Sequence, residues 1–350
     1  MQNSSPKVFS LLETMQDGRE FESLIKNMST IPQNYNPVED IKCSISEVEM
    51  IRNHPCICYV ANVVKHNPDS AITITDTLPF TEMVAAVPVE QKEVDIVLIT
   101  PGGDAGQVDN FVHVLRPRFD KVNFIVIDMA MSAGTMFCLS GDEIVMPSWA
   151  KLGPIDPQIP NREGQLVPAQ SILHALEIIR LRGEKQLKQH KPISWADVQI
   201  LKNIDPKDIA RATNASRYSS DMVKKFLVQY KFKSWNVHRD NRPVTQNEKE
   251  QRSQSISDLL CDHAVWKSHG NFIYRETLES RCKLKVEHAE DTPGLERSLR
   301  RMRALFFWLF ENTPIIKFFI SNHYCILKSA NIPVRIATPQ SKPIPTPQPK

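Results

Sequence analysis

The sequence predicts an α/β protein built on a parallel sheet with flanking helices, and three observations predict it. Val94-Asp95-Ile96-Val97-Leu98-Ile99 is a short apolar, branched run of the kind carried by a strand buried on both faces. Val122-Asn123-Phe124-Ile125-Val126-Ile127 is a second such run. Asp104 to Arg118 between them has helix length, so the unit reads strand, helix, strand, with parallel pairing. In sheets of this kind chemistry gathers at the carboxyl ends of the strands. Two motifs fall there: Thr100-Pro101-Gly102-Gly103 and Met131-Ser132-Ala133-Gly134.

Taken in order, residues 1–48 read as a helical preface. Phe9, Leu11, Leu12 and Met15, then Phe21, Leu24, Ile25 and Met28, recur at helical spacing until Pro32 and Pro37 break the pattern. The α/β core is expected over 49–190. It opens with a strand at 56–63, followed by a short helix near Pro79 with Asp76 or Thr77 as its cap. After Ser132 a short helix stops at Gly141, and Glu143-Ile144-Val145-Met146 is a further strand. Lys151-Leu152-Gly153-Pro154-Ile155-Asp156 then forms an irregular loop past a strand end.

A helical extension is expected over 191–330. Helices are read at 168–190, at 194–230 with Ser194 and Asp205 as caps, and at 255–266, with a polar loop at 240–250. Thr292-Pro293 opens a last helix, in which Leu295, Leu299, Met302, Phe306 and Leu309 make an apolar stripe opposite Arg297, Arg300, Arg301 and Arg303. The stretch 304–320 is apolar, but Glu311, Asn312, Pro314 and Lys317 break it short of the ~20 residues a membrane span needs. Burial in the core or against another subunit is its first reading, and peripheral membrane contact through 304–320 its second. Residues 331–350 carry six prolines in a polar setting and read as a disordered tail.

Composition bounds the function. The chain has 350 residues, 41% of them hydrophobic, enough for one large core. Its net charge of +3 comes from nearly balanced acids and bases, which gives no electrostatic case for nucleic acid. Seven scattered cysteines without a CxxC pair suit a reducing compartment, and Cys56 and Cys58 alternate with apolar residues as strand-packing groups do. The amino terminus lacks an apolar signal core, so a cytoplasmic protein is expected. No GxxxxGK[ST] or HExxH motif is present, and no metal or cofactor is expected.

The chemistry suited to the two motifs is acyl transfer. Successive glycines leave backbone N–H groups unshielded and able to turn toward a ligand. Ser132 sits where a helix should begin, so the helix dipole and the Ala133 N–H favour a developing negative charge there. Gly102, Gly103 and Ala133 are thus candidate oxyanion-hole donors around a carbonyl attacked by the Ser132 hydroxyl. The plainer alternative is a capping serine beside an ordinary tight turn. Asp156 is the first carboxylate candidate for orienting a base, or else a turn-forming Asp before Pro157.

The ordered motifs Pro101-Gly102-Gly103, Met131-Ser132-Ala133-Gly134, Leu152-Gly153-Pro154-Ile155-Asp156-Pro157-Gln158 and Trp266-Lys267-Ser268-His269-Gly270 resemble something specific. They are similar to the serine dehydrogenase proteinase-like family of the Clp protease/crotonase superfamily, related to signal peptide peptidase. The resemblance covers about residues 45 to 325 and is strongest from 94 to 160. It implies a Clp/crotonase-like fold and an intracellular serine peptidase without its own ATPase, acting on peptide or protein and assembling as a homo-oligomer. It also implies a Ser, Asp, His triad in that chain order: Ser132, Asp156, then His269, with His263 as the alternative. Signal peptide peptidase relatives use a neutral lysine as base, and Lys151 holds that place. Clp proteases carry a histidine in the loop where this chain has Ser148, Trp149 and Lys151. Two rivals stand beside the peptidase: an inactive Clp-like scaffold or membrane-associated binding protein, and a crotonase-type acyl-CoA enzyme.

Overall fold

The structure is a computed structural model that describes residues 9–32, 35–161, 164–238, 240–268 and 270–330. His269, the tail at 331–350 and the first eight residues lie outside the described residues. The strands are β1 (Cys56–Ala61), β2 (Glu93–Thr100), β3 (Lys121–Ala130), β4 (Glu143–Met146), β5 (Lys151–Leu152), β6 (Gln158–Pro160), β7 (Leu166–Pro168), β8 (Ile273–Tyr274), β9 (Glu287–His288), β10 (Ile315–Ser321) and β11 (Cys325–Ser329). Helices α1 (Leu11–Thr14), α2 (Glu20–Lys26), α3 (Pro37–Arg52), α4 (Thr77–Ala85), α5 (Ala105–Leu115) and α6 (Ala133–Leu139) occupy the first part of the chain. Helices α7 (Ala169–Lys188), α8 (Trp195–Asn203), α9 (Pro206–Phe226), α10 (Gln246–Leu260), α11 (His263–Trp266), α12 (Arg275–Ser280) and α13 (Leu295–Asn312) follow.

Strands β1 to β4 pair in parallel, the arrangement expected when apolar runs alternate with helices. The sheet runs in the order β11-β10-β1-β2-β3-β4-β9, with β5 on the end of β3 and β8 on β5. Alternate side chains serve two separate cores, as a strand's two-residue period requires. Ile57, Tyr59, Ile96 and Leu98 join α4, α5, α6, α9 and α10 on one face. Cys58, Val60, Val97 and Ile99 join α3 and α13 on the other. Cys56 and Cys58 are buried strand residues, and all seven thiols are free.

Several expectations change. Pro37 does not end a helix but opens α3, at a first-turn position where its missing N–H is an orphan anyway, behind the Asn36 cap. The loop expected over 240–250 gives way to α10 from Gln246, started by a Thr245–Glu248 capping box. Asp76 stands before α4, yet its carboxylate caps nothing there and turns to Lys317 and Lys328 instead. The region read as a helical extension supplies β8 to β11 to the same sheet.

Contact of 304–320 with a membrane is corrected too. Leu305, Phe306, Phe310 and Phe318–Ile320 are fully buried against the sheet, so the run offers no apolar face. Among the described residues no helix is long and apolar enough to cross a membrane. The arginine face of α13 is tied down by Asp17, Glu20, Glu47 and Asp128.

Candidate active site

β2 and β3 bring the two motifs together. Leu98 faces Val126 while Thr100 faces Ala130, so β3 spends four residues where β2 spends two. Such a bulge bends and re-aims the strand end, here carrying Met131 and Ser132 over the glycine turn. The Met131 N–H donates to the Thr100 carbonyl at 3.1 Å, and the Gly153 N–H donates to Ala130 at 3.1 Å. The Thr135 hydroxyl lies between the Ala130 and Gly153 carbonyls, 2.8 and 2.7 Å away, and pins the 153–156 loop to the base of α6.

The turn requires its glycines. Gly102 has φ +100° and a Cβ there would stand 2.7 Å from the Met131 carbonyl oxygen and 3.1 Å from the Ser132 Cβ. Gly103 has φ +143° and a Cβ would sit 2.4 Å from the backbone N and O of Ile72. Ile72 holds the turn on both sides: its N–H donates to Gly102 at 2.7 Å and its carbonyl accepts from Asp104 at 2.9 Å. Gly102 donates its N–H to the Thr100 hydroxyl at 3.1 Å, so it shapes the turn and is removed from the set of oxyanion donors. The N–H groups of Gly103 and Ala133 have no hydrogen-bond partner among the described residues.

Ser132 adopts φ 48°, ψ −110°, a conformation that costs a side-chain-bearing residue on the order of 1–3 kcal/mol. It occupies the N-cap position of α6 but makes no side-chain cap, and its hydroxyl is unbonded among the described residues. The capping alternative therefore gives way to a strained strand-to-helix turn that presents the hydroxyl. Half-buried, Ser132 lies on a cleft of about 450 Å³ shared with Gly103, Ala133, Met136, Ile155 and Tyr218.

Asp156 lies between Ile155 and Pro157, which line this cleft, and is itself 1% exposed. Its Oδ2 lies 2.8 Å from His263 Nδ1, while Oδ1 is buried without a partner among the described residues. The pair is held by backbone: the Ile155 N–H donates to Leu260 at 2.8 Å, at the end of α10, and three residues later α11 begins with His263. Trp266 of the WKSHG segment locks that corner by donating its indole N–H to Leu259 at 2.7 Å. The His263 ring lines an adjacent recess of about 260 Å³ with Gln170, His174 and Lys267, and no hydrogen bond joins it to Ser132.

Of the sequence candidates, the structure thus brings Gly103, Ser132 and Ala133 to one spot and Asp156 to His263. Lys151 goes elsewhere. Its ammonium pairs with the buried Asp128 at 3.4 Å, beside Arg303, and lies over the Phe272 ring. Two contributors were invisible in sequence. Ile72 is one apolar residue in a polar loop, and its pairing with Gly103 is a long-range bridge. Tyr218 on α9 reaches the cleft from the far helical layer, a placement no local pattern encodes.

A mostly parallel sheet of this order, flanked by helices and carrying a glycine turn and a strained serine at neighbouring strand ends, is a ClpP-like fold. Residues 48–229, more than half of the chain, match the family of ClpP-like SDH-type serine proteinases, and the chain belongs to that family. The matched stretch contains Gly103, Ser132 and Asp156 and ends before His263. The chain is also similar to two uncharacterized proteins of Methanocaldococcus jannaschii. Uncharacterized protein MJ0137 is 37% identical over 106 residues, 30% of this chain and 35% of its own length. Uncharacterized protein MJ1495 is 38% identical over 104 residues, 30% of this chain and 34% of its own. The match spans about a third of each relative.

Proposed function

We propose that the protein is a serine peptidase that cleaves peptide bonds without an ATPase of its own. In this reading the Ser132 Oγ attacks the scissile carbonyl, whose oxygen, now an anion, rests between the Gly103 and Ala133 N–H groups. His263 takes the serine proton on Nε2, because its Nδ1 is committed to Asp156, and then delivers it to the departing amine. Water hydrolyses the acyl-serine by the same path in reverse. Each backbone donor of such a hole is worth ~10²–10³ in rate.

The observation that carries the reading is the backbone of Ser132. A serine held at φ 48° with its hydroxyl in a cleft and no cap to make has no structural return for its strain. Apo hydrogen bonds between nucleophile and base are often long, so the open path between Ser132 and His263 is one for a bound peptide to close. That same gap is the observation that favours an inactive scaffold as the second reading.

Incubation with a fluorophosphonate probe separates the two. Labelling of the wild type at Ser132 and none of Ser132→Ala is expected; no labelling of the wild type would select the scaffold. The proposal extends to a cytoplasmic homo-oligomer, as the resemblance implies, for which sedimentation velocity on the full chain gives the mass directly.

A further inference from the structure

We infer that Lys317 and Asp76, far from the cleft in sequence and unused by the chemistry above, are positioning residues that hold the oxyanion turn in place. Lys317 is an anomaly in β10: a lysine 1% exposed inside the run Ile315–Ser321, where every neighbour is buried. Burying an ammonium is costly unless it is paired and hydrogen-bonded. Its Nζ lies 2.7 Å from Asp76 Oδ2 and donates to the Ala71 carbonyl at 2.6 Å. Asp76, 0% exposed, also accepts from the Tyr59 hydroxyl at 2.9 Å, from the Thr73 N–H at 3.0 Å and, on Oδ1, from Lys328 at 2.6 Å.

The network has one evident object. Ala71 and Thr73, both tied to it, flank Ile72, and Ile72 is the residue whose N–H and carbonyl grip Gly102 and Asp104. The space between Ile72 and Gly103 is too small for a methyl group, so movement of Ile72 toward the turn meets backbone and movement away frees it. The segment 67–76 has no other strand partner than this single bridge to Gly103 among the described residues. A buried ion cluster joining β10, β11 and the turn before α4 is thus connected, through one residue of backbone, to the direction of the Gly103 N–H. The inference rests on the proposed role of Gly103 as an oxyanion donor.

The test uses the full chain and two readouts. Lys317→Met is compared with Arg116→Met, which breaks a less deeply buried pair with Asp142 at 2.7 Å but touches neither Ile72 nor the turn. Hydrogen exchange at the amides of Ile72 and Asp104 is expected to speed up by ~10-fold or more in Lys317→Met, with Val94–Ile99 unchanged, and to stay at the wild-type rate in Arg116→Met. The second-order rate of fluorophosphonate reaction at Ser132 should fall by ~10–100-fold in Lys317→Met alone, the size expected of a misplaced catalytic group. Should Lys317→Met fail to fold, Tyr59→Phe, which removes one donor from Asp76, is read in the same way with a smaller change. Wild-type protection of Ile72 and Asp104 in the variant, or a reaction rate no lower than that of Arg116→Met at equal folded fraction, overturns the inference. If the wild type itself does not react with the probe, the peptidase reading falls while the exchange comparison still decides the clamp.

Discussion

Replacing Ser132 by glycine should make the protein more stable while making it inert, and the structure sets the size of the gain. At φ 48°, ψ −110° a residue with a Cβ carries ~1–3 kcal/mol of backbone strain, which glycine does not. Against this stand the greater freedom of glycine in the unfolded chain, ~0.5–1 kcal/mol, and the loss of at most ~0.8 kcal/mol from one half-buried carbon. The hydroxyl adds nothing to the balance, since it bonds no described group. Ser132→Ala keeps the Cβ and therefore the strain, and serves as the reference. Urea unfolding at neutral pH should place Ser132→Gly about 1 kcal/mol above Ser132→Ala. A glycine variant less stable than the alanine variant would refute the claim that this turn stores strain.

Four further outcomes follow from the same geometry. Gly103→Ala must force a methyl group against Ile72 backbone at 2.4 Å, and phosphonylation of Ser132 should slow by at least ~10² through loss of one aligned donor. His263→Gln and Asp156→Asn should each slow it ~10²–10⁴, whereas Lys151→Met, whose ammonium is committed to Asp128, should stay within a few-fold of wild type. Arg52→Met should cost ~3–5 kcal/mol in urea unfolding, because it strips the buried Asp95 of a guanidinium 2.8 Å away. Acid should weaken the fold at that same end of the sheet. Although burial pushes the carboxyls of Glu93, Asp95 and Glu143 up, Lys121, His54 and Arg52 hold all three below their usual values of 4.5, 3.8 and 4.5. Depressed carboxyls contribute stability that is complete above those usual values and is lost as pH falls toward and through the lower folded ones. Circular dichroism titration should therefore show little change in this contribution above about pH 5 and a falling Tm below about pH 4, a fall smaller in Asp95→Asn.

What was legible in the sequence was whatever local chemistry decides. β2, β3 and β4 declare themselves because strands buried on both faces read as unbroken branched runs, and the Gly-Gly turn because only glycine accepts its φ values. The Ser194 and Asp205 caps are likewise where the sequence puts them. Where one residue serves two local roles, the reading divides. Pro37 both breaks and opens helices, and the polar stretch before Ser255 hides a capping box. Ile315–Ile320 is apolar in a way that periodicity cannot assign, and Lys317 within it looks like an interruption rather than a buried ion partner. The choice between His263 and His269 was beyond local reasoning altogether. Asp156 meets the His263 imidazole, 107 residues away, through the packing of α10 against the 153–156 loop, a long-range contact that no local pattern encodes, while His269 lies outside the described residues.

The most direct measurement is a crystal structure of the protein carrying a phosphonyl group on Ser132. The account requires the phosphoryl oxygen to sit ~2.7–3.1 Å from both the Gly103 and the Ala133 nitrogens, with His263 turned toward the serine oxygen and still bonded to Asp156. An adduct whose oxygen points into solvent, or whose nearest donors are other groups, contradicts it.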